Sequence, residues 1–139
     1  MVAVKVLIVD DQPAFRVAAR EVVAATSGFE VVGEAESGEE SVVAARRLHP
    51  DLVLMDIQLP GVDGMEASRL IRSEQSEVVV FLLSTYDRED FASRIGVSGA
   101  RAFIPKAEFG PESLTDSWKA ALGQDSLSPP SKLQEGETG

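Results

Sequence analysis

The stretch Val78–Leu83, VVVFLL, sets six apolar residues side by side with no polar residue between them. A strand with one wet face alternates apolar and polar residues. A run without alternation belongs to a strand covered on both faces, as in a parallel sheet between two layers of helices. Leu52–Met55 and Ala102–Ile104 repeat the pattern, Val4–Val9 breaks it only at Lys5, and Phe29–Val32 is a further candidate strand. Helical spacing fills the gaps. Phe15, Ala18, Ala19, Val22 and Val23 follow Pro13, which fits the first turn of a helix behind a capping acid, and Gly28 ends that segment. Ser37-Gly38-Glu39-Glu40 has the form of a capping box ahead of Val42, Val43, Ala45 and Leu48. Met65, Leu70 and Ile71 mark a third helix. Phe91, Ala92, Ile95 and Val97 mark a shorter fourth, and Pro111 opens a last one carrying Leu114, Trp118 and Leu122.

Strand–helix units of roughly 20–25 residues, repeated along the chain, predict an α/β fold with a parallel sheet and right-handed crossovers. Periodicity leaves the strand order open. The chain's 139 residues suit one domain, here residues 1–122, followed by a Gly-, Ser-, Pro- and charge-rich segment 123–139 that reads as a flexible linker or tail. No apolar run reaches the ~18–20 residues of a membrane span. The N-terminal run has no basic lead-in of a signal peptide, and there is no cysteine. A cytoplasmic protein without membrane contact is expected. The formal net charge of −10 repels nucleic-acid phosphate, so this chain alone is not expected to bind it.

In open parallel sheets the working crevice lies at the carboxyl ends of the strands. Those ends carry chemistry here: Asp10 and Asp11, then Asp56, then Ser84 and Thr85, then Lys106. If the first and third strands are neighbours, three carboxylates share one pocket. Two unit charges ~4 Å apart repel by about 4 kcal/mol at an effective dielectric near 20, so a proton or a cation must relieve them. An all-oxygen set without histidine or cysteine suits Mg²⁺, with Mn²⁺ as the alternative, rather than Zn²⁺. The sole histidine, His49, falls at the end of the second helix.

The segments VLIVDDQPAFR, DLVLMDIQLPGVDGMEASRLIR, VVVFLLST and RAFIPKAE, spread from Val4 to Leu122, resemble the receiver domain of two-component response regulators. The resemblance implies a flavodoxin-like, doubly wound five-stranded sheet of order 2-1-3-4-5 with helices on both faces. It implies that Asp56 is the phosphoacceptor. Asp10, Asp11, Asp56 and the backbone carbonyl of Gln58 would hold Mg²⁺. Ser84 and Lys106 would meet the phosphoryl group, and Phe103 would occupy an aromatic switch position. Gln58 and Tyr86 would tune dephosphorylation, with bulky Tyr86 limiting access of water. The protein would then be no enzyme in the ordinary sense, although it would catalyse its own phosphorylation from small donors and its own dephosphorylation. The implied partners are a sensor histidine kinase and, as a further association, a second copy in a homodimer. VDDQPAFR and KAE are most similar to receivers joined to a LuxR-type helix-turn-helix output domain. The chain is then a stand-alone receiver or the receiver part of a longer transcription regulator, and the tail with Pro129-Pro130 favours the second.

Two departures from the family pattern stand out, the residue after the lysine and the pair Gln58 and Tyr86, two places after the acceptor and two after the hydroxyl. Many receivers place proline directly after the lysine, whereas here Pro105 precedes Lys106 and Ala107 follows it. Thr85 falls where the family usually has a small residue. Three rival functions remain. An Mg²⁺-dependent phosphatase of the haloacid dehalogenase type also uses an aspartate, but its Asp-x-Asp follows the first strand, where position 12 is Gln12. A flavin or nucleotide module needs a Gly- or hydroxyl-rich loop where Asp10-Asp11 would repel phosphate. A phosphate-independent receiver-like binding module has no need of the full acidic set.

Overall fold

The computed structural model describes residues 2–127, with side chains described as far as Gly123. Five strands, β1 (Val4–Val9), β2 (Phe29–Ala35), β3 (Leu52–Asp56), β4 (Val79–Ser84) and β5 (Ala102–Pro105), alternate with helices α1 (Pro13–Ala24), α2 (Gly38–Leu48), α3 (Gly64–Glu74), α4 (Ala92–Ser98) and α5 (Pro111–Leu127). All pairings are parallel, and the order is β2-β1-β3-β4-β5. This is the flavodoxin-like doubly wound order expected from the resemblance.

The pleat explains the two layers. Leu7, Val9, Val53, Met55, Val80 and Leu82 face one way and pack with Val42 and Ala45 of α2, Met65 and Ile71 of α3 and Ile95 of α4. Their neighbours Val6, Ile8, Leu52, Leu54, Phe81 and Leu83 face the other way, against Ala19 and Val23 of α1 and Leu114 and Ala121 of α5. Every residue of β3 and β4 is buried, which is why those runs show no alternation. Trp118 meets Phe29 edge-on, with ring centroids 6.1 Å apart, so it packs α5 onto the sheet.

Several local expectations need correction. Strand β2 runs three residues past Val32. The register shifts between Val6 and Leu7, so Val6 pairs with Val31 but Leu7 with Gly33. That irregularity, and the edge position that lets Glu34 reach solvent, hid the strand's second half from its pattern. At α1 the N-cap is Gln12 and its side chain makes no cap bond. The Asp10 carboxylate instead accepts the Gln12 N–H at 2.8 Å. Ser37 caps α2 by accepting the Glu40 N–H, but the Glu40 carboxylate returns to Glu36 N–H rather than to Ser37. Val43, Val97 and Leu122 are exposed. Val43 lies on the face of α2 opposite buried Ser41, Val42 and Ala45, as 100° per residue requires. The fourth helix begins as a 3-10 turn, Arg88–Phe91. Helix α5 continues past Leu122 to Leu127, so the first part of the segment 123–139 is helical, and 128–139 lie outside the described residues.

Gly64 deserves its place by contact. A Cβ there would overlap the backbone oxygen of Asp56. The Gly64 N–H also donates to Ile57 O at 2.9 Å, which folds the segment after β3 back onto the strand end. Gly64→Ala must push α3 away from Asp56. It should lower the stability measured by urea unfolding by roughly 2–3 kcal/mol.

Candidate functional site

Because β1 lies next to β3, Asp10 and Asp11 at the end of β1 reach Asp56 at the end of β3. One carboxylate oxygen from each lies within 4.8 Å of the others. Asp10 and Asp56 are buried and Asp11 is exposed. Lys106, just past β5, brings its Nζ to 2.7 Å from Asp10 Oδ2 and 3.5 Å from Asp56 Oδ1. Asp10, Asp11, Asp56 and Lys106 therefore lie together at the carboxyl edge of the sheet.

Burial pushes the Asp56 carboxyl up to about 6, and the neighbouring charge of Asp10 adds to the effect. Lys106 and the Gln58 N–H, 3.3 Å from Asp56 Oδ1, pull in the opposite direction. Ionised Asp56 is thus disfavoured by the fold relative to the ordinary value of 3.8. A raised folded-state value means that stability falls as pH climbs from below 3.8 through about 6. Asp56→Asn removes that penalty. Without divalent cations the variant should be more stable than the parent by about 1–3 kcal/mol near pH ~7.5, with the gain vanishing near pH ~4. Urea titrations at both pH values measure it.

The site fits a divalent cation. Three carboxylates face a single ammonium, which leaves two negative charges uncompensated among the described residues. Asp10 Oδ2 is buried, and the charge that reaches it is the Lys106 ammonium at 2.7 Å. A hard cation with oxygen ligands answers the excess of negative charge.

Ser84 is fully buried, and its Oγ accepts the Tyr86 N–H at 2.9 Å. It pairs in register with Pro105, at the outer edge of the sheet where proline is tolerated. Thr85 is exposed. Lys106–Glu108 form a 3-10 turn closed by Phe109 N–H to Lys106 O at 3.2 Å. Phe103 packs on the core and on Phe91. It is half-buried, 6.5 Å from Phe91, whose other side meets the exposed Tyr86 ring edge-on at 6.4 Å. Gln58 contributes its N–H to Asp56.

Two contacts were invisible to sequence reasoning. Arg16 donates to the backbone oxygen of Asp10 at 2.8 Å and pairs with Glu34 at 3.2 Å, tying the end of β1 to β2. Phe15, counted only as an apolar helix position, lies beneath the Lys106 ammonium. Within DDQPAFR nothing but the arginine itself hinted at the first.

A doubly wound sheet with an acid cluster and a lysine at its carboxyl edge is the architecture of receiver domains. Residues 6–119 match the family model for the response regulator receiver domain, and the chain belongs to that family of two-component signalling domains. It is 35% identical over 126 residues to the response regulator GacA of Pseudomonas syringae pv. syringae, covering 91% of this chain and 59% of the relative. It therefore spans about three fifths of the curated relatives it first matches. Among solved structures, a LuxR-family two-component response regulator from Aurantimonas sp. SI85-9A1 superposes with TM-score 0.79 at 30% identity, covering 88% of this chain and 86% of that one. A chain of the CheX-CheY-BeF3-Mg²⁺ complex from Borrelia burgdorferi matches with TM-score 0.75 at 25% identity, covering 87% and 90%. No helix among the described residues is long and apolar enough to cross a membrane.

Proposed function

We propose that this chain is a phosphorelay receiver that takes a phosphoryl group onto Asp56 from a sensor histidine kinase and alters a surface read by an output domain or partner. The observation that carries the reading is the gathering of Asp10, Asp11, Asp56 and Lys106 from separate strand ends. The named contents of the CheX-CheY complex, Mg²⁺ and a beryllofluoride that mimics a phosphoryl group, agree with it.

Asp56 Oδ attacks phosphorus, the bond from phosphorus to the donor nitrogen or oxygen breaks, and the donor leaves with that electron pair. With its carboxyl at about 6, Asp56 is mostly ionised at neutral pH and needs no base. Asp10, Asp11, Asp56 and the Gln58 carbonyl would hold Mg²⁺ or Mn²⁺, which neutralises charge on the phosphoryl oxygens when bound. Lys106, already 3.5 Å from Asp56, supplies the second cation. Ser84 turns its hydroxyl to the new oxygens and gives up the Tyr86 N–H. That bond ties Ser84 to the ring series Tyr86, Phe91 and Phe103, a route by which new charge can reach α4 and β5. Bulky, exposed Tyr86 limits water access and, with Gln58, sets the lifetime of the acyl phosphate.

The chain works in the cytoplasm as a receiver whose output is a LuxR-type DNA-binding domain, a reading supported by its likeness to a LuxR-family two-component response regulator, with a homodimer as a further association. Acetyl phosphate with Mg²⁺ should add one phosphoryl group, seen as a mass gain that chelation prevents. Sustained turnover of a phosphomonoester would point instead to the haloacid dehalogenase rival.

A further inference from the structure

We propose that Phe15 is a positioning residue for Lys106, its ring face holding the ammonium over the acid cluster. Lys106 Nζ lies 4.5 Å from the Phe15 ring centroid. The lysine side chain is only 10% exposed, so the contact is largely shielded from water. Phe15 is itself fixed: it lies in the first turn of α1, half-buried against the core that α1 shares with α5. Phe109 tilts against it at 43° with centroids 6.3 Å apart. The Phe109 N–H closes the turn that begins at Lys106, so one aromatic pair grips both the backbone and the charge of the lysine.

The acids hold the ammonium unevenly. It lies 2.7 Å from Asp10 Oδ2 and 3.5 Å from Asp56 Oδ1. An aromatic face attracts a cation without demanding a direction for its N–H bonds. The ammonium can therefore shift from Asp10 toward Asp56 without leaving the ring. Its consequence for phosphoryl transfer rests on the function proposed above; the placement of Lys106 does not.

The test uses metal-free protein with ¹⁵N-labelled lysine, observing the Lys106 NH₃⁺ resonance, identified by its loss in Lys106→Arg. Wild type should show a slowly exchanging signal. Phe15→Leu should broaden it and slow acetyl phosphate uptake with Mg²⁺ by about 2- to 30-fold. Fluorinating the residue-15 ring alone, which drains its negative face at nearly constant shape, should move both readouts stepwise, and Phe15→Trp should retain them. An unchanged resonance along the fluorination series overturns the proposal, and those near-isosteric rings carry the test if Phe15→Leu fails to fold. A resonance that follows the ring in a protein that takes up no phosphoryl group upholds the placement and refutes the proposed function instead.

Discussion

Asp56→Ala should take up no phosphoryl group under conditions that label wild type fully. The neighbouring acids cannot stand in for it. Asp10 has one oxygen accepting the Gln12 N–H and the other facing Lys106 at 2.7 Å, so neither is a free nucleophile. Asp11 is exposed to solvent, outside the buried position that Asp56 holds. Only Asp56 combines burial, a nearby cation and a position in the sheet fixed by the Gly64 contact. The variant should still fold, because it removes a carboxyl that burial disfavours. Intact-mass measurement after acetyl phosphate and Mg²⁺ decides it, with a urea curve confirming the fold.

Lys106→Met should separate two properties that the lysine joins. Methionine keeps much of the apolar stem but removes the charge. Loss of one electrostatic donor at a transferring group costs about 10²–10³-fold in rate, and phosphoryl uptake should fall by that order. Mg²⁺ affinity should rise, because the ammonium no longer occupies Asp10 Oδ2. Calorimetric Mg²⁺ titration alongside phosphorylation rates should show the two moving in opposite directions. A parallel fall in both would mean that the lysine supports the site's architecture rather than competing for its acids.

Much of this was legible in the chain because the signals were local. Continuous runs such as Leu52–Met55 announced buried strands, and Asp10, Asp56 and Ser84 directly after three of them marked the carboxyl edge. Spacing could not supply the order that sets β1 beside β3, yet that order is what turns Asp10, Asp11 and Asp56 into one cluster. The resemblance supplied it. What stayed hidden depends on tertiary contact. Phe15 has the helical spacing of a core residue, and only the arrival of Lys106 from the far end of the chain gives it a second role. Arg16 reads as a surface charge until β2 brings Glu34 alongside. Gly64 reads as a turn former, although what requires it is the Asp56 backbone pressed against α3.

The most direct measurement is to phosphorylate the wild-type chain with acetyl phosphate and Mg²⁺, reduce it with borohydride, and sequence its peptides by mass spectrometry. Borohydride converts an aspartyl phosphate into homoserine and leaves free aspartate untouched. The account predicts homoserine at position 56 and nowhere else, absent when Mg²⁺ is chelated. Homoserine at position 10 or 11, or none from a folded, metal-loaded protein, would contradict it.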